Sequence, residues 1–477
     1  MHIERSDIIL RANPSRVLLR PLASGTNPFS RSRKHFIDRV LLLSETEVSN
    51  LMLEAESLFK HRHKDLSSVL MDNYNLLSKR IPERNSLSEK RKLLLGATFT
   101  KEYSIQAAAL FNPSIVSHPD QSGLKKNNKR FIMSLRSVGE GHISSIEFRT
   151  GILDSEGHIS MDKESQYASN TARDKEKTFN KNEISIEVKN NPHFDLSILK
   201  ELQNTFTQAD YLAYKKTDAY QNIDIETRET LDIIVELNYD VFLDQKDSIS
   251  ECVIYPNAPH ELMGMEDVRF VQFSDDEKKT YVGTYTAYNG RKIRPQLILT
   301  EDFIHFKIRA LYGDAASDKG MALFPEKING KYAMIGRQGG ENITIMYSDD
   351  LFHWDDYQIL LKPKFGWEIL QIGNCGSPLK TNRGWLLMTH GVGPLRRYSI
   401  SAVLLDINDP SKVIGRCEKP LLSPLETERE GYVPNVVYSC GSMIHGEKLI
   451  IPYALSDSAT TFATIELKDL LNNMNPV

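Results

Sequence analysis

The segment KTYVGTYTAYNG (279–290) combines a basic turn, an apolar strand and a polar or aromatic end. The same plan occurs in four other places: KRFIMSLRSVG (129–139), GKYAMIGRQGG (330–340), RGWLLMTHGVG (383–393) and EKLIIPYALSD (447–457). Most copies follow a second short apolar run, and the last four recur at the length of one four-stranded propeller blade. The repetition predicts an all-β fold, a five-bladed β-propeller.

The N-terminal region has a different pattern. Residues 34–95 carry apolar side chains at helical spacing, and Ser44 with Glu47 forms a candidate capping box. We therefore expect residues 1–98 to form a helical extension and residues 99–470 to form the catalytic propeller.

An excess of polar sequence, residues 152–250, separates the first two repeats. Its middle, 193–216, has a helical pattern, whereas the stretch before it is typical of a polar loop. We interpret the segment as a partly helical insertion over one mouth of the ring, and a disordered linker between two domains is the alternative. The extension and the insertion are also candidate surfaces for self-association.

Composition restricts the class of protein. The chain has 477 residues, 40% hydrophobic and 26% charged, with a formal net charge of -4. This balance gives no reason to expect a nucleic-acid or membrane partner. The N-terminal sequence lacks the apolar core of a signal peptide, and the cysteines have no metal-site spacing. We expect a cytoplasmic protein with reduced thiols and without a metal or cofactor.

Polar residues end the apolar strand in four of the repeats: Arg136, Arg337, His390 and Asp457. The innermost strands of a propeller line its central channel, so such groups from different blades can meet at one end. They are candidate ligand-binding residues. Solvated strand ends are the alternative.

The segment GMEDVRF (264–270) contains the most distinctive charges. Strand alternation predicts that Asp267 and Arg269 point to the same face, where the guanidinium would keep the carboxylate ionised. A purely structural salt bridge is the alternative.

Several motifs in one order resemble those of glycoside hydrolase family 130, the mannoside phosphorylases and β-1,2-mannosidases. The resemblance covers about residues 100–470 without the insertion. The motifs are FNP (111–113), MEDVRF with YTAY (285–288), LFPEKINGKY (323–332), the run from IG to HGV (372–392) and VPNVVYSCG (433–441).

The resemblance implies roles for individual residues. Asp267 is similar to the family's proton donor, which acts through a sugar hydroxyl. Asn112, Arg136 and Asp457 resemble the groups that hold the mannosyl ring. Further candidate substrate contacts are Arg269, Arg337, His390 and Tyr288, and candidate phosphate-binding residues are Arg294, Lys319 and His390.

One position departs from the phosphorylase pattern W-x-x-x-K-I-G, because WEILQIG (367–373) has Gln371 in place of the lysine. An amide cannot balance the charge of phosphate, so this departure favours hydrolysis. Inverting hydrolysis needs a carboxylate base that activates water. The candidates are Glu368, Glu428 and Glu430.

The leading prediction is therefore an inverting hydrolase of β-mannosides, most simply β-1,2-linked oligosaccharides. The alternative is an inverting phosphorylase that uses inorganic phosphate as a co-substrate and produces mannose 1-phosphate. A non-catalytic carbohydrate-binding propeller is an alternative of another class.

Overall fold

The structure is a computed structural model that describes residues 1–22, 31–78, 81, 85–173, 177–189, 191–275 and 278–477. These residues separate into two compact units. The helical unit contains 13–107 and 165–169, and the β unit contains 1–12, 108–164 and 170–477. The domain boundaries predicted from the sequence, 1–98 and 99–470, stay predictions.

The described residues of the helical unit form four α-helices and one strand pair. The helices are Arg31–Leu42, Glu45–Phe59, Leu66–Ser78 and Glu89–Thr98, and the paired strands are Val17–Pro21 and Thr100–Ser104. Ser44 Oγ accepts a hydrogen bond from the Glu47 amide, and the Glu47 carboxylate accepts one from the Ser44 amide. The predicted capping box is therefore confirmed.

The β unit contains five consecutive antiparallel meanders in the described part of the chain. The first has the strands Ala109–Ser117, Lys129–Val138, Ser144–Leu153 and Ile159–Met161. The second has Gly264–Asp275, Lys278–Tyr288, Ile293–Thr300 and His305–Ala310. The third has Ala322–Leu323, Tyr332–Gly336, Ile343–Ser348 and Gln358–Leu361.

The fourth meander has the strands Gln371–Asn374, Gly384–Val392, Tyr398–Leu405 and Val413–Arg416. The fifth has Val437–Tyr438, Lys448–Leu455, Ala459–Glu466 and Ile3–Arg5. The strand Ile3–Arg5 pairs with Ala459–Glu466, so this part of the predicted helical extension is instead a β-strand. The predicted all-β class of the main unit is confirmed.

Separate apolar clusters fill the spaces between consecutive meanders. Phe148 and Phe270 join the first to the second, and Val282 and Met334 join the second to the third. The third and fourth meet at Phe324 and Trp385, and the fourth and fifth at Leu404 and Ile451. Phe131 and Phe462, with ring centroids 6.4 Å apart, join the first meander to the fifth. Each meander therefore buries side chains against the next, as stacked sheets require.

The segment 170–250 has its own small core around Tyr211, Leu231 and Ile234. Its helices are Lys181–Glu187, Gln208–Tyr214, Asp218–Gln221 and Ile225–Leu237. The stretch predicted as helical, 193–216, is only partly so, because a strand pair, Thr178–Asn180 with Thr205–Thr207, interrupts it. Tyr239–Phe242 then extends the second meander by pairing with His305–Ala310.

No helix in the described ranges is both long enough and apolar enough to cross a membrane. All four cysteines are buried free thiols: Cys252, Cys375, Cys417 and Cys440.

Candidate active site

Two β-bulges bring polar side chains from the first two meanders together. The pairing register shifts between Phe111 and Ser114 and again between Glu266 and Arg269. Asn112 and Asp267 lie inside these bulges, with φ of 50° and 54°. Asn and Asp tolerate this left-handed region better than most residues. The result is a hydrogen bond of 2.7 Å from Asn112 Nδ2 to Asp267 Oδ1.

The second bulge corrects the prediction that simple alternation sets the directions of Asp267 and Arg269, because the extra residue interrupts the alternation. Arg269 still lies close, and its Nη1 donates to the backbone carbonyl of Asp267 at 3.1 Å. The structure therefore brings the two residues together through a bulge.

Arg136 connects two neighbouring carboxylates. Its Nη1 lies 3.1 Å from Asp267 Oδ1 and its Nη2 lies 2.8 Å from Glu266 Oε1. The second oxygen of Glu266 accepts from Lys319 Nζ at 2.8 Å. Asn112, Arg136, Glu266, Asp267 and Lys319 form what we call the Asp267 cluster.

The charges around Asp267 control its protonation. Burial alone would raise the pKa of this carboxyl, but the guanidinium groups of Arg136 and Arg269 and the hydrogen bond from Asn112 lower it to about 2. Asp267 is therefore ionised in the ligand-free protein at neutral pH.

Asp457 has the opposite behaviour. It lies in the tight turn between the strands Lys448–Leu455 and Ala459–Glu466, also at positive φ. Burial and the Asp267 carboxylate raise the pKa of Asp457 to about 7, although Arg136 opposes them. Two acids near one another thus have widely separated pKa values, which is a feature of catalytic sites.

A second group of residues, which we call the Arg337 cluster, continues from Arg269. Arg269 Nη2 donates to the Tyr438 hydroxyl at 2.7 Å, and the Tyr438 ring lies 4.8 Å from the His390 ring. Arg337 Nη1 donates to His390 Nε2 at 3.3 Å. Burial, Arg337 and Arg269 hold the pKa of His390 well below its usual value, so this imidazole is neutral. The Arg337 cluster comprises Arg269, Arg337, His390 and Tyr438.

Glycine makes the Arg337 cluster compact. A Cβ at Gly373 would lie 2.4 Å from His390 Cε1 and 3.2 Å from Arg337 Cδ.

Arg337 Nε and the nearby Asn374 Oδ1 are buried without a hydrogen-bond partner in the described residues. A guanidinium donor without a partner is a feature of a site that awaits an acceptor.

Arg294, Tyr288 and Gln371 are not members of either cluster. Arg294 pairs across the strands with Ala287, and burial lowers the pKa of its guanidinium. Tyr288 is half-buried at the end of the strand Lys278–Tyr288, and Gln371 is half-buried at the start of Gln371–Asn374.

Two of the predicted base candidates have structural partners instead. Glu368 is fully buried, accepts from the amides of Lys364 and Phe365, and pairs with Arg416. Glu428 accepts from Arg5 Nη1 at 2.6 Å and from the Tyr453 hydroxyl at 2.9 Å.

Both oxygens of Glu428 and Oε1 of Glu368 are engaged in these contacts, whereas Glu368 Oε2 is buried without a partner in the described residues. The choice of Glu368 or Glu428 as the base stays a prediction. Glu430 is exposed and makes no described contact with either cluster.

Sequence reasoning missed Tyr438 and the role of Glu266. Tyr438 lies in the motif VPNVVYSCG, so its aromatic hydroxyl among small and apolar residues could have indicated a site. Glu266 is adjacent to Asp267, and only the bulge shows that both carboxylates face Arg136.

Known proteins with similar sequences are phosphorylases. A 1,2-beta-oligomannan phosphorylase of Thermoanaerobacter sp. is 39% identical over 223 residues, which is 46% of this chain and 73% of the relative. A beta-1,2-mannobiose phosphorylase of Listeria innocua is 31% identical over 228 residues, 46% of this chain and 63% of the relative. A beta-1,4-mannooligosaccharide phosphorylase of Ruminococcus albus is 34% identical over 162 residues, 31% and 48% of the two chains.

The family model described as beta-1,4-mannooligosaccharide phosphorylase matches residues 210–476. This range is more than half of the chain and includes the second to fifth meanders. The chain therefore belongs to glycoside hydrolase family 130, as its motifs predict.

Proposed function

We propose that the protein is an inverting phosphorylase of β-mannosides, with β-1,2-linked oligosaccharides as the first substrates to test. The observation that carries the proposal is Arg337, whose buried Nε has no partner in the described residues and lies beside neutral His390. A bound anion would accept from this donor. The relatives, which are phosphorylases, support the same choice over the hydrolysis predicted from the sequence.

The Asp267 cluster supplies the groups for the sugar. In the proposed reaction a phosphate oxygen forms a bond to the anomeric carbon while the glycosidic bond on the opposite face breaks. The leaving oxygen takes a proton that Asp267 delivers through a sugar hydroxyl, and the products are mannose 1-phosphate and a shortened acceptor. Because Asp267 is ionised in the free protein, substrate binding must draw Asn112 and Arg136 toward the sugar hydroxyls and raise the pKa of Asp267.

We further propose that the five meanders close into a five-bladed propeller with both clusters at one mouth. The packing of Phe131 against Phe462 supports this closure, because it joins the last meander to the first. Pairing of Ile3–Arg5 with Ala459–Glu466 supports it as well. A cytoplasmic location stays a prediction.

Hydrolysis remains the second candidate, and Gln371 is the observation that favours it. Gln371 lacks the positive charge that the lysine of the phosphorylase pattern supplies. Four cations nevertheless lie in the two clusters: Arg136, Arg269, Lys319 and Arg337.

The deciding experiment is incubation of the protein with β-1,2-mannobiose in phosphate-free buffer and in buffer with inorganic phosphate. We expect turnover only with phosphate, with mannose 1-phosphate as a product. Release of two mannose molecules without phosphate would instead establish hydrolysis.

A variant links this activity to the Arg337 cluster. Arg337→Gln should raise the KM for phosphate by at least 10-fold, because the lost charge-assisted hydrogen bonds act on the anion. Arg383→Gln is the matched control, since Arg383 contacts Asn472 on the surface. An unchanged phosphate KM in Arg337→Gln would remove the observation on which the proposal rests.

A further inference from the structure

A cavity of about 290 Å³ is lined by residues from all five meanders. Each meander contributes at least one wall residue: Ile115, Phe270, Pro325, Ser377 and Ser442. None of these belongs to the Asp267 cluster or the Arg337 cluster. The cavity is therefore a separate place in the β unit.

The chain segments that carry active-site residues also contribute residues to the cavity wall, a few positions further along. Asn112, Asp267 and Asn374 each precede a wall residue by three positions. Three residues of chain span at most about 10 Å. The cavity wall thus lies within about one nanometre of these residues along the chain.

A tightly packed layer separates the two sites. Ser114 Oγ accepts from the Phe270 amide at 3.0 Å. A Cβ at Gly441 would lie 2.5 Å from Ser114 Oγ, and one at Gly376 would lie 2.4 Å from the Cys440 carbonyl oxygen. These close approaches pack the chain tightly where the segments run from one site to the other.

Two serine hydroxyls in the cavity wall are without partners. Ser377 is 9% exposed and Ser442 is 7% exposed. Neither Oγ has a hydrogen-bond partner in the described residues. A buried hydroxyl without a partner destabilises the folded state, so an occupant that both donates and accepts would be stabilised here.

The remaining wall indicates the kind of occupant. Ile115, Phe270, Pro325 and Met443 are apolar and suit the C–H faces of a sugar ring. Lys380 lies in the wall but is paired with Glu326, so its charge is already balanced. At about 30 Å³ per water the space equals about ten water molecules, which a single hexose ring can largely replace.

We propose that this cavity is a second binding site, for an uncharged polyol of the size of a hexose. The ligand places hydroxyls against Ser377 and Ser442 and its C–H face against Phe270. The proposal concerns binding in this cavity and does not depend on whether the enzyme uses phosphate or water.

Calorimetric titration with D-mannose tests the site. We expect the wild-type protein to bind two equivalents, one at the Asp267 cluster and one in the cavity. In the double variant Ser377→Ala, Ser442→Ala the affinity for one equivalent should fall by at least 10-fold, while kcat stays unchanged. Ser411→Ala is the control, because Ser411 bonds to Asp409 outside the cavity.

Crystals soaked in D-mannose give an independent readout that does not require the double variant to fold. Sugar density between Ser377 and Ser442 would support the proposal. It is overturned by a single bound equivalent in the wild type, by two unchanged equivalents in the double variant, or by water alone in the cavity. Replacement of the sugar density in the cavity by phosphate, in crystals soaked with both, would also overturn it, since it would mean that Lys129 at the wall selects an anion.

Discussion

Asp267 and Asp457 show how neighbouring charges can give two aspartates different protonation states. Both are partly buried and both have positive φ. Arg136 and Arg269 lower the pKa of Asp267, whereas burial and the Asp267 carboxylate raise the pKa of Asp457. A site with one ionised and one partly protonated carboxyl can accept and supply protons near neutral pH.

Replacing Asp267 tests the proposed proton donor. Asp267→Asn should lower kcat by about 10²–10⁴-fold, because the amide keeps the hydrogen-bonding shape but cannot transfer a proton in the reaction. Asp275→Asn on the same strand is the control, since Asp275 pairs with Lys327 at the surface. Turnover is measured with β-1,2-mannobiose and phosphate, and a change of less than 3-fold would rule out the donor role.

Asp457 predicts a pH dependence of stability. Its pKa is about 7 in the folded protein and about 4 when unfolded. The folded state therefore binds this proton more tightly, and the stabilisation is complete below pH 4 and lost as pH rises to 7. Denaturant unfolding between pH 4 and 7 should show a smaller decline for Asp457→Asn than for the wild type. Equal slopes would contradict the raised pKa.

Short turns before the first strands of three meanders share a buried glutamate. Glu261, Glu368 and Glu428 each accept backbone amide hydrogen bonds in the turn and a second donor from another element. For Glu261 the second donors are the hydroxyls of Tyr239 and Tyr285. This repetition shows that the glutamate is part of how a turn holds a strand in place.

Replacing Glu368 and Glu428 distinguishes a structural role of these residues from a catalytic one. Glu368→Gln should lower the free energy of unfolding by about 3–5 kcal/mol, because Arg416 would remain buried without its partner. Glu428→Gln should destabilise by a smaller amount, as Arg5 is partly exposed. Glu430→Gln is the control, with no change expected. Activity per folded molecule should persist in all three, and a loss of more than 100-fold in one variant would identify it as the base.

The packing of successive meanders gives the β unit its cooperativity. Each interface uses a different set of aromatic and aliphatic side chains, and the contact of Phe131 with Phe462 joins residues from opposite ends of the chain. We expect a ring closed by such a contact to unfold as one unit, because opening one interface exposes the apolar faces of two sheets.

Removing this contact tests the closure. Phe462→Ala should destabilise the protein by about 3–5 kcal/mol. Hydrogen exchange should accelerate in both Lys129–Val138 and Ala459–Glu466, since each loses its neighbour. Ile359→Ala, at an exposed position, is the control. Faster exchange confined to the fifth meander would contradict closure of the ring.

The repeated segments by themselves predict much of the fold. Short apolar runs bounded by turn residues favour strands wherever they occur, so the β class and the approximate position of each meander follow from local pattern. The capping box at Ser44 and Glu47 is local as well. The family follows from motifs that keep their order.

The active-site geometry depends on contacts between distant residues and could not be read in the same way. A bulge shifts Asp267 out of simple alternation, and only tertiary packing brings Asn112 and Arg136 to it. The same packing assigns Glu368 and Glu428 to structural hydrogen bonds. The pKa values of the site depend on burial and on the distances between its charged groups. Only the packing of the meanders sets those distances, because a meander by itself would leave its polar strand ends in water.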